Sequence, residues 1–284
     1  MRILVLGHRG MLGSDLMEVL GRDHEVNGVD IGEFDMTSAA DCMRVVEEFK
    51  PGVIVNAAAY TDVDGCETNR DACFAVNADG VRNIASACLE SRTKIVHYST
   101  DYVFDGTKRE PYVEDDPCRP INVYGESKRR GEELLVELAE NHLLIRTAWL
   151  YGRQGKNFVK AILVKARDEG KLRVVDDQVG SPTYSFDLAQ ATKLLVEKDC
   201  RGTYHVTNRG VCSWHQFAMR ILEYANISDV AVEPIRSDEL HRKAKRPAYS
   251  VMSNRKFMEA TRRAMRPWQV ALNDYLTAQS HNHR

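Results

Sequence analysis

Arg2-Ile3-Leu4-Val5-Leu6-Gly7-His8-Arg9-Gly10-Met11-Leu12-Gly13 opens the chain, and a helical pattern follows at Met11–Gly21. The apolar run from Ile3 to Leu6 is unbroken, as in a strand buried on both faces of a parallel sheet. Three glycines then fall three apart where the strand turns into a helix. Such a turn brings backbone N–H groups and the positive end of a helix to a pyrophosphate. Gly7 permits the turn, Gly10 lets the backbone approach a ligand, and Gly13 lets helix and strand pack closely. A tight turn uses glycine for purely structural reasons too, so a second feature is needed. Asp30 supplies it at the end of the strand Glu25–Asp30, near the ~20-residue spacing of a carboxylate that accepts from the adenine ribose hydroxyls. Together these predict a nicotinamide dinucleotide site. Asp30 favours NADH, whereas Arg9 within the loop suits a 2′-phosphate, so the cofactor is NADH or NADPH. Asp35-Met36 is a candidate flank for the adenine.

Further strands are predicted at Gly52–Ala58, Lys94–Ser99 and Leu143–Thr147, with helices at Ala39–Lys50, Arg70–Ser91 and Tyr124–Glu140. Strand and helix in alternation imply an α/β fold: a doubly wound parallel (Rossmann) sheet over residues 1–150. Past residue 150 the helical stretches continue at Asn157–Glu169, Phe186–Glu197, Trp214–Tyr224 and Pro267–Gln279. The strands there are short and isolated: Leu172–Val175, Thr203–Val206 and Val230–Ile235. Residues 151–284 therefore read as a smaller, interleaved α/β substrate lobe, with some return to the main sheet.

Lys and Arg number 39 against 41 Asp and Glu, which leaves a net charge of −2 in 284 residues. That balance argues against a nucleic-acid-coating surface or a polybasic membrane anchor. No apolar run approaches the ~20 residues that span a bilayer. The seven cysteines are scattered without a CxxC, which fits a reduced cytoplasm. Ser280–Arg284 reads as a frayed tail whose His281 and His283 are solvated, and no metal site is expected.

Tyr124-Gly125-Glu126-Ser127-Lys128 places a phenol and an ammonium on one helix face, at i and i+4. A cation beside a phenol favours the phenolate and lowers its pKa, suiting the tyrosine to pass a proton to a carbonyl oxygen. The strand Val96-His97-Tyr98-Ser99-Thr100 ends in hydroxyls, and the carboxyl end of a parallel strand is where ligands sit. Thr100, Tyr124 and Lys128 are therefore the catalytic candidates. Asn56-Ala57-Ala58-Ala59 ends the third strand with small residues, as close backbone approach to a cofactor requires.

These residues resemble the extended short-chain dehydrogenase/reductases and, within them, the dTDP-4-dehydrorhamnose reductase family. The resemblance covers nearly the whole chain. Its matching segments are Gly7–Gly13, Val55–Glu67, Val76–Gly80, His97–Gly106, Asn122–Lys128, Ile145–Gly152, Asp176–Tyr184 and Arg246–Asn254. It implies reduction of the 4-keto group of a nucleotide deoxysugar, dTDP-4-dehydro-L-rhamnose, to dTDP-L-rhamnose, with Thr100, Tyr124 and Lys128 as the catalytic trio. Cofactor is implied over Gly7, Gly10, Met11, Leu12, Asp30, Asp35, Met36, Ala57, Ala59, Tyr60, Thr61, Tyr124 and Lys128. Substrate is implied at Thr100, Asp101, Tyr102 and Trp149, and Arg246 is a candidate partner for the nucleotide diphosphate.

Neighbouring readings are a nucleotide-sugar epimerase, an epimerase-reductase like the GDP-fucose synthases, or a dehydratase. Dehydratases put an acidic pair after the threonine; here Asp101 is followed by Tyr102. A reading from another class is a regulatory subunit similar to the methionine adenosyltransferase β subunit. Some members of the reductase group form a dimer through an acidic cluster holding Mg²⁺. This chain keeps one such carboxylate, Asp15, but has Phe186 at the second place with Asp187 one position along. A monomer or a metal-independent dimer is therefore expected.

Overall fold

The computed structural model describes residues 1–89, 91 and 93–281. The chain runs through β1 (Arg2–Leu6), α1 (Met11–Leu20), β2 (Glu25–Val29), α2 (Ala39–Phe49) and β3 (Val53–Asn56). Next comes α3, built from Arg70–Phe74, a π-helical turn at Ala75–Asp79 and Gly80–Ala87. Then follow β4 (Lys94–Thr100), α4 (Val123–Leu138), β5 (His142–Thr147), α5 (Phe158–Asp168), β6 (Lys171–Val175) and α6 (Ser185–Glu197). The chain closes with β7 (Gly202–His205), α7 (Trp214–Tyr224), β8 (Ala231–Ile235) and α8 (Trp268–His281).

Among the described residues, six parallel strands form one sheet in the order β7-β5-β4-β3-β1-β2. The order reverses beside β1, so the carboxyl ends of β1 and β3 open a crevice there. Both sheet faces are covered, as the unbroken apolar strands require. Ile3 and Val5 pack under α1 and α6 with Leu12, Leu16, Leu188 and Leu195. Leu4 and Leu6 face the opposite layer, with Val45, Val46, Ile84 and Leu135 from α2, α3 and α4.

A second core joins α5, α7 and α8 around Phe217, Ile221, Trp268 and Tyr275. Here the sequence reading needs correction. The strands taken as isolated at 172–175 and 230–235 pair in parallel as β6 and β8. The strand expected at 203–206 is β7, at the edge of the main sheet beside β5, and is the return to that sheet expected of residues 151–284. The helix expected as one piece over 70–91 carries the π turn and ends at Ala87. A helix at Arg255–Thr261 was not expected. The predicted tail starts late, since α8 stays helical to His281; His283 lies outside the described residues. Among the described residues no helix is long and apolar enough to cross a membrane.

Candidate active site

The glycine loop has the shape its sequence requires. Gly7 adopts φ +76°, and a Cβ there would stand 2.9 Å from the Ala58 nitrogen. A Cβ on Gly13 would stand 2.0 Å from the Gly7 carbonyl oxygen, so only glycine lets α1 begin so close to β1. Gly10 is the N-cap of α1 and supplies no side chain to cap it, and the first turn holds no acidic residue. That end of α1 therefore keeps its partial positive charge for an anion. Asp30 accepts from the Arg9 backbone N–H (2.7 Å) and from Ile31 N–H (2.8 Å). The Arg9 guanidinium pairs with Glu33. So the two residues read as rival selectors of the cofactor are joined through the loop itself.

Asp35 accepts from Thr37 in a local turn, while the Met36 side chain is buried in the core against Gly80. Beyond β3, Ala57 lies beside β1, its N–H bonded to the Leu6 carbonyl (3.0 Å). Tyr60 is clamped by Asn77, which accepts from its N–H (2.9 Å) and donates to its carbonyl (3.0 Å). Asn77 sits in the π turn of α3, whose extra residue aims its side chain across the crevice. It also donates to Ser127 Oγ (3.0 Å) on α4. Thus one side chain ties the Ala59-Tyr60-Thr61 segment to the helix that carries Tyr124 and Lys128.

Thr100 ends β4 and donates to Asp101 Oδ1 (3.0 Å). Asp101 is 1% exposed, and burial pushes its carboxyl up to about 6. Tyr102 meets Tyr124 edge to face, with centroids 5.6 Å apart. Glycine at position 125 allows this approach, because a Cβ there would fall 2.2 Å from the Tyr102 carbonyl oxygen. Burial, then the Asp101 charge and Tyr102, push the Tyr124 phenol well above its ordinary value; the neighbouring Thr100 hydroxyl pulls back part of that. The expected direction was the opposite. Desolvation of a buried phenolate outweighs what a cation four residues along supplies. Lys128 is itself buried and makes a 3.3 Å hydrogen bond to His97 Nε2.

Helix α4 is held by its own start and its middle. Asn122 caps it, accepting from Gly125 N–H (2.7 Å), and donates to the Lys245 carbonyl (2.7 Å). Glu132 and Arg146 of β5 form a buried bidentate pair, both contacts 2.8 Å. Arg246, one residue past that tethered carbonyl, grips Asp64 through two 2.7 Å contacts and lies against the Tyr102 phenol. Asp64, on a one-turn helix at Val63–Cys66, is held well below the usual carboxylate range by that guanidinium. Trp149 adopts φ +48° and stacks on Trp214, with centroids 3.6 Å apart and rings 8° from parallel. One face of the Trp149 ring, an implied substrate contact, is therefore already covered.

A family model described as "RmlD substrate binding domain" matches residues 1–281. The chain belongs to the RmlD substrate-binding-domain family. A spore coat polysaccharide biosynthesis protein, SpsK, of Bacillus subtilis is 40% identical over 280 residues, 98% of each chain. A dTDP-4-dehydrorhamnose reductase of Aggregatibacter actinomycetemcomitans is 39% identical, covering 96% of this chain and 97% of its own. The crystal structure of a dTDP-4-dehydrorhamnose reductase from Bacillus anthracis in complex with NADP superposes with a TM-score of 0.95 at 38% identity, over 98% of this chain and 99% of that one. The extended short-chain dehydrogenase fold of this RmlD-family chain is the one its sequence implied.

Asn56, Asn77 and His97 were missed as site residues. The signal was present: Asn56 and His97 are polar residues within otherwise apolar buried strands, and buried polar groups demand partners.

The Asp101 carboxyl gives a pH prediction. Its folded pKa, about 6, lies above the 3.8 of a free carboxyl, so the folded state holds the proton more tightly. Its contribution to stability is present below about 4 and is lost as pH rises through about 6. Asp101→Asn removes the titration. Relative to wild type, the variant should gain about 2–3 kcal/mol between pH 4 and 7, measured by urea unfolding at each pH. A difference that does not change with pH would contradict the assignment.

Proposed function

We propose that this protein is an NAD(P)H-dependent reductase acting on the 4-keto group of a nucleotide deoxysugar, converting dTDP-4-dehydro-L-rhamnose to dTDP-L-rhamnose. The observation that carries the reading is the contact between the Thr100 hydroxyl and the Tyr124 phenol at the carboxyl end of β4, with Lys128 one turn further along α4 and the glycine cradle at the end of β1. The residues fit a dinucleotide: a cradle that any Cβ at Gly7 or Gly13 would fill, an uncapped helix start, and small residues after β3. Gly7, Gly10, Met11 and Leu12 would hold the pyrophosphate, Asp30 the adenine ribose, and Ala57, Ala59, Tyr60 and Thr61 the nicotinamide half. The bound nicotinamide supplies the hydride. Thr100 donates to the substrate carbonyl oxygen and orients it. Tyr124, kept protonated by its surroundings, gives its proton to that oxygen as negative charge develops. Asp101 and Tyr102 bind sugar hydroxyls, and Arg246 reaches the diphosphate by sharing its fork with Asp64. All seven cysteines are free thiols, which supports a cytoplasmic setting.

The test supplies dTDP-4-dehydro-L-rhamnose with NADPH and with NADH and follows nicotinamide oxidation; turnover with neither would overturn the reading. The reaction should need no divalent ion. The Asp15 carboxylate is occupied by Arg153 (2.6 Å) and Ser185, and Asp187 by Arg266 (2.8 Å) and Asn208 (2.7 Å). Exhaustive EDTA treatment should leave both rate and solution mass unchanged. Activity or a dimer restored only by Mg²⁺ would contradict this.

Cofactor choice follows from the Arg9–Glu33 pair. Glu33→Gln frees the guanidinium for a 2′-phosphate. An exposed ion pair is worth up to ~1 kcal/mol, so preference for NADPH over NADH should rise up to about fivefold. Asp30→Ala should weaken both cofactors, NADH more, because Asp30 also holds the loop backbone. Dissociation constants from nicotinamide fluorescence decide; an unchanged ratio in both variants means that neither group senses the 2′ position.

A further inference from the structure

Lys128 is buried among groups from three elements. His97 faces it from β4, Cys73 from α3, and Glu132 and Tyr124 lie on its own helix α4. Glu132 is committed to Arg146. Among the described residues, the hydrogen bond of Lys128 Nζ is to His97, a residue 1% exposed.

Which nitrogen of His97 carries the proton follows from a chain of contacts that starts at the backbone. The Ala58 N–H, which acts only as a donor, points at Asn56 Oδ1 (3.1 Å). That fixes the orientation of the Asn56 amide, because the flipped amide would set NH₂ against N–H. The Asn56 NH₂ then faces His97 Nδ1 (3.1 Å), one strand over and in register with it. An NH₂ group only donates, so Nδ1 must offer its lone pair. His97 is therefore neutral with its proton on Nε2. A second proton on Nδ1 would oppose the amide donors. The Nε2–H points at Lys128 Nζ (3.3 Å). For that contact to be a hydrogen bond, Lys128 must accept, and only the amine form has a lone pair to accept with.

We propose that Asn56 and His97 are positioning residues of the reaction: they aim the His97 Nε2–H at Lys128 Nζ and so shift Lys128 toward its neutral amine beside the cofactor site. The proposal rests on the reductase reading for its kinetic part only. Two further facts agree with it. Burial lowers the Lys128 ammonium from its ordinary value to about 8, the direction that this contact requires, and burial holds His97 well below its ordinary value and so neutral. The consequence for the site is a lysine near its titration point, able to hold or release a proton next to Tyr124, where a permanently charged lysine holds one at all working pH values.

The test reverses the relay without removing its volume. Asn56→Asp keeps an acceptor for the Ala58 N–H and gives His97 Nδ1 a second acceptor. The imidazole proton moves to Nδ1, Nε2 becomes an acceptor, and the Lys128 ammonium is favoured. His97→Gln is the second variant: its side-chain carbonyl accepts from the ammonium directly. The first readout uses the protein alone. Nitrogen NMR of ¹⁵N-histidine-labelled protein distinguishes a protonated ring nitrogen from one with a lone pair. Wild type should show Nε2–H with no titration over the working pH range, and Asn56→Asp should show Nδ1–H. The second readout is the pH dependence of NADPH dissociation and of kcat/KM. The inflection near pH 8 in wild type should move up by about one unit or more in both variants. A purely structural role would lower the melting temperature and leave the inflection in place. Wild-type His97 protonated on Nδ1, or an unmoved inflection in a folded Asn56→Asp or His97→Gln protein, would overturn the proposal. Failure to turn over the keto-sugar would leave the tautomer and the NADPH-binding profile as separate readings, so the two claims fail independently.

Discussion

Tyr124→Phe should lower turnover by about 10²–10⁴-fold, the usual worth of a positioned general acid, while binding cofactor almost as well as wild type. The variant keeps the ring that meets Tyr102 edge to face and loses one hydroxyl. In the proposed mechanism that hydroxyl, buried and held in its protonated form, neutralises the developing alkoxide. Thr100 can polarise the carbonyl but passes its own hydrogen to Asp101 Oδ1 in the resting protein. Steady-state rates with saturating NADPH, beside cofactor dissociation constants, separate chemistry from binding. Turnover within a few-fold of wild type would remove Tyr124 from the mechanism.

The largest stability effect should come from Glu132→Ala. Glu132 and Arg146 are 0% and 3% exposed and meet through two 2.8 Å contacts. Removing one partner strands a buried guanidinium, which costs about 3–5 kcal/mol. The pair also pins α4 to β5, and α4 carries Tyr124 and Lys128, so activity should fall in the same variant. Replacing both at once, Glu132→Met with Arg146→Leu, should recover most of the stability, since a buried pair is often no better than matched apolar groups. Urea denaturation of the two variants checks this. A loss below about 1 kcal/mol for Glu132→Ala would mean that the pair does not anchor the helix.

Much of this was legible in the sequence, for a physical reason. The glycine loop, the hydroxyl-ended strand and the i, i+4 Tyr-Lys pair are local features whose spacing already fixes their geometry. What escaped is non-local. Asn77 reaches Tyr60 across a π turn that periodicity does not announce. Arg153 reaches Asp15 from 138 residues away. His97 reads as an ordinary strand residue until Asn56 and Lys128 are placed on either side of it. The shift of the Tyr124 phenol was read in the wrong direction because i, i+4 spacing reveals the neighbouring cation but not the depth of burial. The short strand pair β6–β8 was missed because neither strand pairs with its sequence neighbour.

The central claim is hydride delivery to sugar C4 with a proton from Tyr124. It is tested most directly with NADPH carrying deuterium at the transferred position of nicotinamide C4 and dTDP-4-dehydro-L-rhamnose. Proton NMR and mass spectrometry of the product should show one deuterium, on sugar C4, with none at C3 or C5. Deuterium retained on the nicotinamide while the sugar is altered, or found at any other sugar carbon, would contradict the account.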